Sequence, residues 1–97
     1  MTEEEILKEI MKVLNDWNPL GNQAKNIPDL NEYESEAYDI IYFYDDDLQF
    51  PKYKDKRTKV LKVVRAIINE AFNLNMTEDE CKIPSEKIYH ILFNQTN

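Results

Sequence analysis

Asp45, Asp46 and Asp47 close the segment YDIIYFYDDD, residues 38 to 47, in which four aromatic rings stand beside four aspartates. Three carboxylates in a row invite a metal reading. On a helix, however, successive side chains are rotated by about 100°, so adjacent acids point in three directions and do not converge on one ion. A calcium-binding EF-hand loop would need acids at alternate positions, a glycine at the turn and a closing glutamate, and DDDLQFPKYKDK offers no such pattern. Glu86 and His90 stand four apart, whereas helical di-metal sites use Glu-x-x-His, and use it twice. No metal ligand set and no cofactor is therefore expected.

Nucleophilic chemistry would require Cys81 beside a base. His90 is the single histidine, and nine residues along a continuous helix place it about 180° away from Cys81. Cys81 reads instead as a small core residue, and His90 as a surface group favoured by the negative end of a helix dipole. There is no phosphate loop, dinucleotide fingerprint or serine elbow. No catalytic residue is assigned, and the chain reads as a non-enzyme.

The basic window PKYKDKRTKVLKVVR carries seven positive charges against one negative, with Tyr53 among them, which is a composition that can contact RNA. A structural account competes with it. Aspartates at the end of one helix and lysines at the start of the next both oppose their own helix dipoles, but in an antiparallel hairpin each cluster offsets the other. Such surface pairs contribute under about 1 kcal/mol each, enough to orient a hairpin and little more.

Charge over the whole chain points the same way. The 97 residues have a net charge of -7, and the first 50 carry 13 acids against 3 lysines. An acidic whole repels phosphate backbones, so nucleic acid is a disfavoured partner and a basic protein a favoured one. A single cysteine excludes an internal disulfide, and MTEEEILKEI lacks the apolar run of a signal peptide or membrane span. A cytoplasmic location and no membrane contact are expected.

The elements that position these residues read as helices throughout. One glycine, four prolines and long 3.6-residue periodicity predict a single all-α domain over 1–97, a compact bundle of four or five helices with a long loop after the first. Helix one starts at Thr2, where Thr2 and Glu5 form a capping box, and its stripe is Ile6, Ile10, Val13, Leu14 and Trp17. Pro19 and Gly21 end it, and residues 18 to 31 form the loop. Helix two follows Asn31 as N-cap, with Tyr33, Ala37, Ile40, Ile41, Tyr44 and Leu48 on its core face. Helix three runs from Lys56 or Thr58 to Phe72, its face centred on Val60, Leu61, Val64, Ile67, Ile68, Ala71 and Phe72 and broadened by Val63. Helix four opens with a Thr77–Glu80 capping box and should kink or break at Ile83, before Pro84.

DWNPLG, EYESEAYDI, an apolar helix and MTEDEC occur in this order, and from about Ile6 to Leu92 the chain resembles the bacterial YugE-like family of small helical proteins of unknown function. It departs from that pattern with Asn18 in place of an aspartate, with Met76-Thr77 where a Pro-Leu pair is usual, and with the additional Pro84. The resemblance implies a compact all-α fold and assigns no activity, catalytic residue or cofactor.

The functional expectation rests on helix two. Its wheel turns Tyr38, Asp39, Tyr42, Asp45 and Asp46 away from the core, leaving two aromatic anchors among carboxylates. That face fits an acidic, non-catalytic protein-binding module, in its sharpest form an immunity-type inhibitor covering the basic active site of a toxin or nuclease. The tyrosines could instead pack on the loop of residues 18 to 31 or on a second copy in a homodimer. The alternative function is a homo-oligomeric structural or RNA-contacting accessory factor acting through the basic hairpin end.

Overall fold

A computed structural model describes residues 2–43 and 55–93. The aspartates Asp45, Asp46 and Asp47, the core positions Tyr44 and Leu48, and the basic residues Lys52 and Lys54 all lie outside the described residues. Within them the protein is all-α, with no strand.

Helix α1 spans Glu3–Trp17, α2 Glu34–Phe43, α3 Lys56–Phe72 and α4 Glu78–Phe93. The first begins as its residues dictate. Thr2 Oγ1 accepts from the Glu5 amide at 3.2 Å and Glu5 Oε1 accepts from the Thr2 amide at 3.1 Å, while Glu3, Glu4 and Glu5 sit on the positive end of the dipole. It ends at Asn18, whose left-handed backbone (φ 49°) lets its N–H return to the Leu14 carbonyl before Pro19 bars further helix. The α3 helix has the same construction. Asp55 caps it by accepting from the Arg57 amide and the Thr58 hydroxyl, each at 3.1 Å, and Asn73 closes it at φ 54°.

The connection after α1 is not an unstructured loop. Residues Gly21–Asn26 wind into a 3-10 helix. Asn31 then opens a short left-handed turn, Asn31–Tyr33, with φ of 46°, 57° and 65°, so it is not the N-cap that its sequence context suggests, and α2 begins only at Glu34. The reason is tertiary. The reversed turn delivers the Tyr33 ring, 1% exposed, to the end of the bundle, edge-on to Phe72 with centroids 5.9 Å apart.

Helices α3 and α4 form an antiparallel hairpin. Lys62 pairs with Glu78 near the connection, whereas Arg57, at the other end of α3, reaches Glu86 at 2.5 Å and stacks over Tyr89 at 4.9 Å. Asn69 exchanges hydrogen bonds with the Met76 backbone, and Arg65 Nε donates to the same Met76 carbonyl at 2.8 Å, locking the turn. Thr77 and Glu80 make the anticipated capping box. Yet α4 continues through Pro84 as one helix, so of the expected kink or break at Ile83 the break does not occur. Pro84 itself is buried, and contacts with α1 and α3 on either side hold α4 in place despite the lost hydrogen bond.

One core joins all four helices: Leu7, Ile10 and Leu14 from α1, Ala37 and Ile40 from α2, Val60, Val64 and Ile68 from α3, and Ile88 and Leu92 from α4. On α1 the expected stripe leaves out Leu7, which is buried, and on α3 two positions differ from the wheel. Val63 is fully buried and not a broadening edge residue, while Ala71 is exposed. Because α3 packs against both α2 and α4, its buried arc is wide and takes in Val63 and, one turn earlier on the same side, the stem of Lys59.

Candidate functional site: an acidic groove

On α1 the residues Glu3, Leu7 and Met11 follow one another at intervals of four, which stacks them along one face, with Glu4 and Lys8 in the adjacent row. On α2 the same spacing aligns Glu34, Tyr38 and Tyr42. The first row and the Glu34–Tyr38 part of the second, together with Glu32 of the left-handed turn, wall a groove of about 600 Å³. Its floor is apolar, formed by the buried Leu7 and the half-buried Met11, and its rim is acidic. Four carboxylates face one lysine there, and Lys8 is already shared with Glu4 at 3.6 Å. Glu34 is held in place by the Asn31 side-chain amide, which donates to its Oε1 at 2.8 Å.

Tyr38 is 51% exposed and stands in the groove wall. Tyr42 is 75% exposed and rests edge-on against Phe43, centroids 4.9 Å apart. Neither tyrosine is covered by the segment of residues 18 to 31, which is instead secured by Tyr33. Asp39 is exposed on α2, whereas Asp45 and Asp46 fall outside the described residues. Among the residues anticipated for this face, the structure therefore brings Tyr38 into a groove and extends its row to Tyr42. Glu3, Glu4, Glu32 and Glu34 were not anticipated. The acids of the first turn serve as dipole partners within α1, and their second role emerges only when α2 lies alongside; the Glu3–Leu7–Met11 spacing was the available signal.

Behind this face lies Glu36, a buried carboxyl whose Oε1 has no hydrogen-bond partner. Burial pushes its pKa above the ordinary carboxylate value, and the negative charges of Asp39 and Asp29 push the same way, against a lowering bond from its own backbone.

The candidates for chemistry stay apart. Cys81 is fully buried, and burial raises its thiol pKa, the opposite of an activated nucleophile. His90 is on the surface, its Nε2 at 3.5 Å from Glu86. Among the described residues no group of three or more His, Cys, Asp or Glu is placed to hold a metal ion. Four cations of α3 turn toward α4 or the connection before it: Arg57 onto Glu86 and Tyr89, Lys62 onto Glu78, Arg65 onto Met76, and Lys56 over the Phe93 ring at 5.9 Å.

Comparison with protein-family models, curated proteins and solved structures finds no significant match to the chain.

Proposed function

We propose that this protein is a non-catalytic protein-binding module whose acidic groove receives a basic segment of a partner protein. The observation that carries this reading is the groove itself: an apolar floor, a rim of Glu3, Glu4, Glu32 and Glu34, and an exposed tyrosine in the wall. An extended Lys/Arg-rich segment is matched to such a site. Its methylene stems cover Leu7 and Met11, its charges meet the rim, and Tyr38 supplies a rigid anchor able to stack on a guanidinium. The acidic surface steers a basic partner toward the site and makes association fall with salt.

The finer form of the proposal is an immunity-type inhibitor that occupies the basic active site of a toxin or nuclease in the cytoplasm, with Tyr38, Asp39 and Tyr42, and beyond the described residues Asp45 and Asp46, as its contact face. Kinship with the YugE-like proteins is proposed on the motifs quoted above. Against the RNA-contacting alternative stands the engagement of Arg57 and Lys62 by α4 and of Arg65 by the Met76 carbonyl in the connection before it, which gives these cations partners within the protein. Among the described residues no helix is long and apolar enough to cross a membrane.

The test is titration of a fluorescent Arg/Lys-rich peptide against the wild type, the Tyr38→Ala/Tyr42→Ala variant and the Glu3→Gln/Glu34→Gln variant. Saturable, salt-sensitive binding that weakens at least tenfold in both variants is the expected result, with unchanged helicity in both, unchanged melting in the tyrosine variant and a loss of about 0.3–1 kcal/mol in the glutamate variant, where Glu3 leaves the positive end of α1. Binding that survives both sets of substitutions would sink the groove as the contact site, and unfolding of the tyrosine variant would assign those rings to the core.

A further inference from the structure

A second groove lies on another face of the bundle, where the C-terminal end of α1 meets the first half of α4. It measures about 260 Å³. Trp17 and Val13, both half-buried, form one wall, and Ile83 and Pro84 form the other. Ile83 is 70% exposed, the one large aliphatic side chain among the described residues that stands so clear of the core. Its exposure follows from α4 running on through Pro84: on the continuous helix Ile83 lies about 140–200° round from the buried Cys81, Ser85 and Ile88 and so points outward. Pro84 has no N–H to offer, so the Glu80 carbonyl beside this groove also lacks its usual helical donor.

The rim distinguishes this groove from the acidic one. Asp16 and Glu80 supply negative charge and Lys87 positive charge around the apolar centre. A surface that carries both signs can complement itself. Under a two-fold axis each contact occurs twice, so Lys87 of either copy meets the acids of the other while the Ile83 side chains enter the facing Trp17 walls. The acidic groove, with four carboxylates and a single shared lysine, repels its own copy and is unsuited to that role. An indole at the centre of a patch with a mixed-charge rim is also the composition of an interface anchor.

We infer that this α1/α4 patch is the contact surface of an isologous homodimer, centred on Ile83 and Trp17 and registered by Lys87 against Asp16 and Glu80. The inference is independent of the proposed function, because it uses none of the acidic-groove residues and leaves that groove open on both copies.

Sedimentation velocity over a concentration series tests it. The expected result is reversible monomer–dimer exchange with a dissociation constant in the micromolar range, as for interfaces at the small end of the size scale. Trp17 is the only tryptophan, so its emission should shift to the blue as dimer forms. Ile83→Glu should remain monomeric with unchanged circular dichroism. Lys87→Glu alone and Asp16→Lys alone, both of which spare the Thr77–Glu80 cap, should each weaken the dimer, and an equal mixture of the two should regain it, since the Lys87–Asp16 contacts are then restored with their signs exchanged on one side. A wild type that stays monomeric to millimolar concentration overturns the inference and leaves the patch to a different protein. Dimerisation undiminished in Ile83→Glu, or no recovery in the mixture, overturns it equally.

Discussion

The Tyr33 hydroxyl donates a hydrogen bond of 2.6 Å to Asn18 Oδ1, and the same hydroxyl oxygen accepts from the Leu20 amide at 3.3 Å. Two residues with left-handed backbones thus meet at one end of the bundle, one closing α1 and the other preparing α2. Asn18 also donates through Nδ2 to the Gly21 carbonyl at 3.2 Å, so a single side chain organises the start of the connection. The acidic groove depends on this corner, because the turn that positions Tyr33 also sets Glu32 and Glu34 beside α1.

Replacing Tyr33 by Phe keeps the ring against Phe72 and deletes only the hydroxyl. Asn18 Oδ1 and the Leu20 N–H then lose their partner in a half-buried setting, at a cost of about 1–2 kcal/mol. Urea unfolding should show a lower midpoint at unchanged slope, with a melting temperature lower by about 4–8 °C per kcal/mol. An unchanged midpoint would show that water serves this corner as well as the tyrosine does.

Glu32 occupies φ 57°, ψ 35°, where a side chain with a Cβ is strained by about 1–2 kcal/mol. Glu32→Gly relieves that strain but adds freedom to the unfolded chain, so the net gain expected is about 0.5–1 kcal/mol. Because Glu32 also belongs to the acidic rim, the variant should melt higher while binding a basic peptide more weakly. A lower melting temperature would mean that the Glu32 side chain supports the turn more than its backbone strains it.

Glu36 should make stability depend on pH. Its folded pKa is raised, by burial first and then by Asp39 and Asp29, so its contribution is fully present below the ordinary carboxylate range and is lost as pH rises through the folded value. Glu36→Gln removes the charge that is costly at neutral pH. The variant should be more stable than wild type at pH 7, and the two thermal melting curves should converge as pH falls below the carboxylate range. A constant difference across that window would show that Glu36 does not titrate differently in the folded state.

Much of the architecture was legible from short-range chemistry. Both capping boxes, the bounds of α1 and α3 and the inward stripe of Ile10, Leu14, Ile40, Ile68 and Ile88 follow from residues within four positions of one another, the range over which helical hydrogen bonds and side-chain stacking operate. Tyr38 and Tyr42 were recognised as outward for the same reason. The groove that gives Tyr38 a role was not, since its walls come from two helices and a wheel describes only one.

The sequence by itself determined where α1 and α3 start and stop and where α4 begins, which faces are apolar, and that acids dominate the first half of the chain, because each of these is a local or compositional property. Tertiary structure decided the rest. It turned Asn31, Glu32 and Tyr33 left-handed because burying one ring beside Phe72 and Asn18 outweighs the local strain, and it carried α4 through Pro84 because packing on α1 and α3 outweighs one missing hydrogen bond. It also laid α2 along α1 so that the Glu3–Leu7–Met11 row of one helix and the Glu34–Tyr38 row of the other became the walls of one acidic groove.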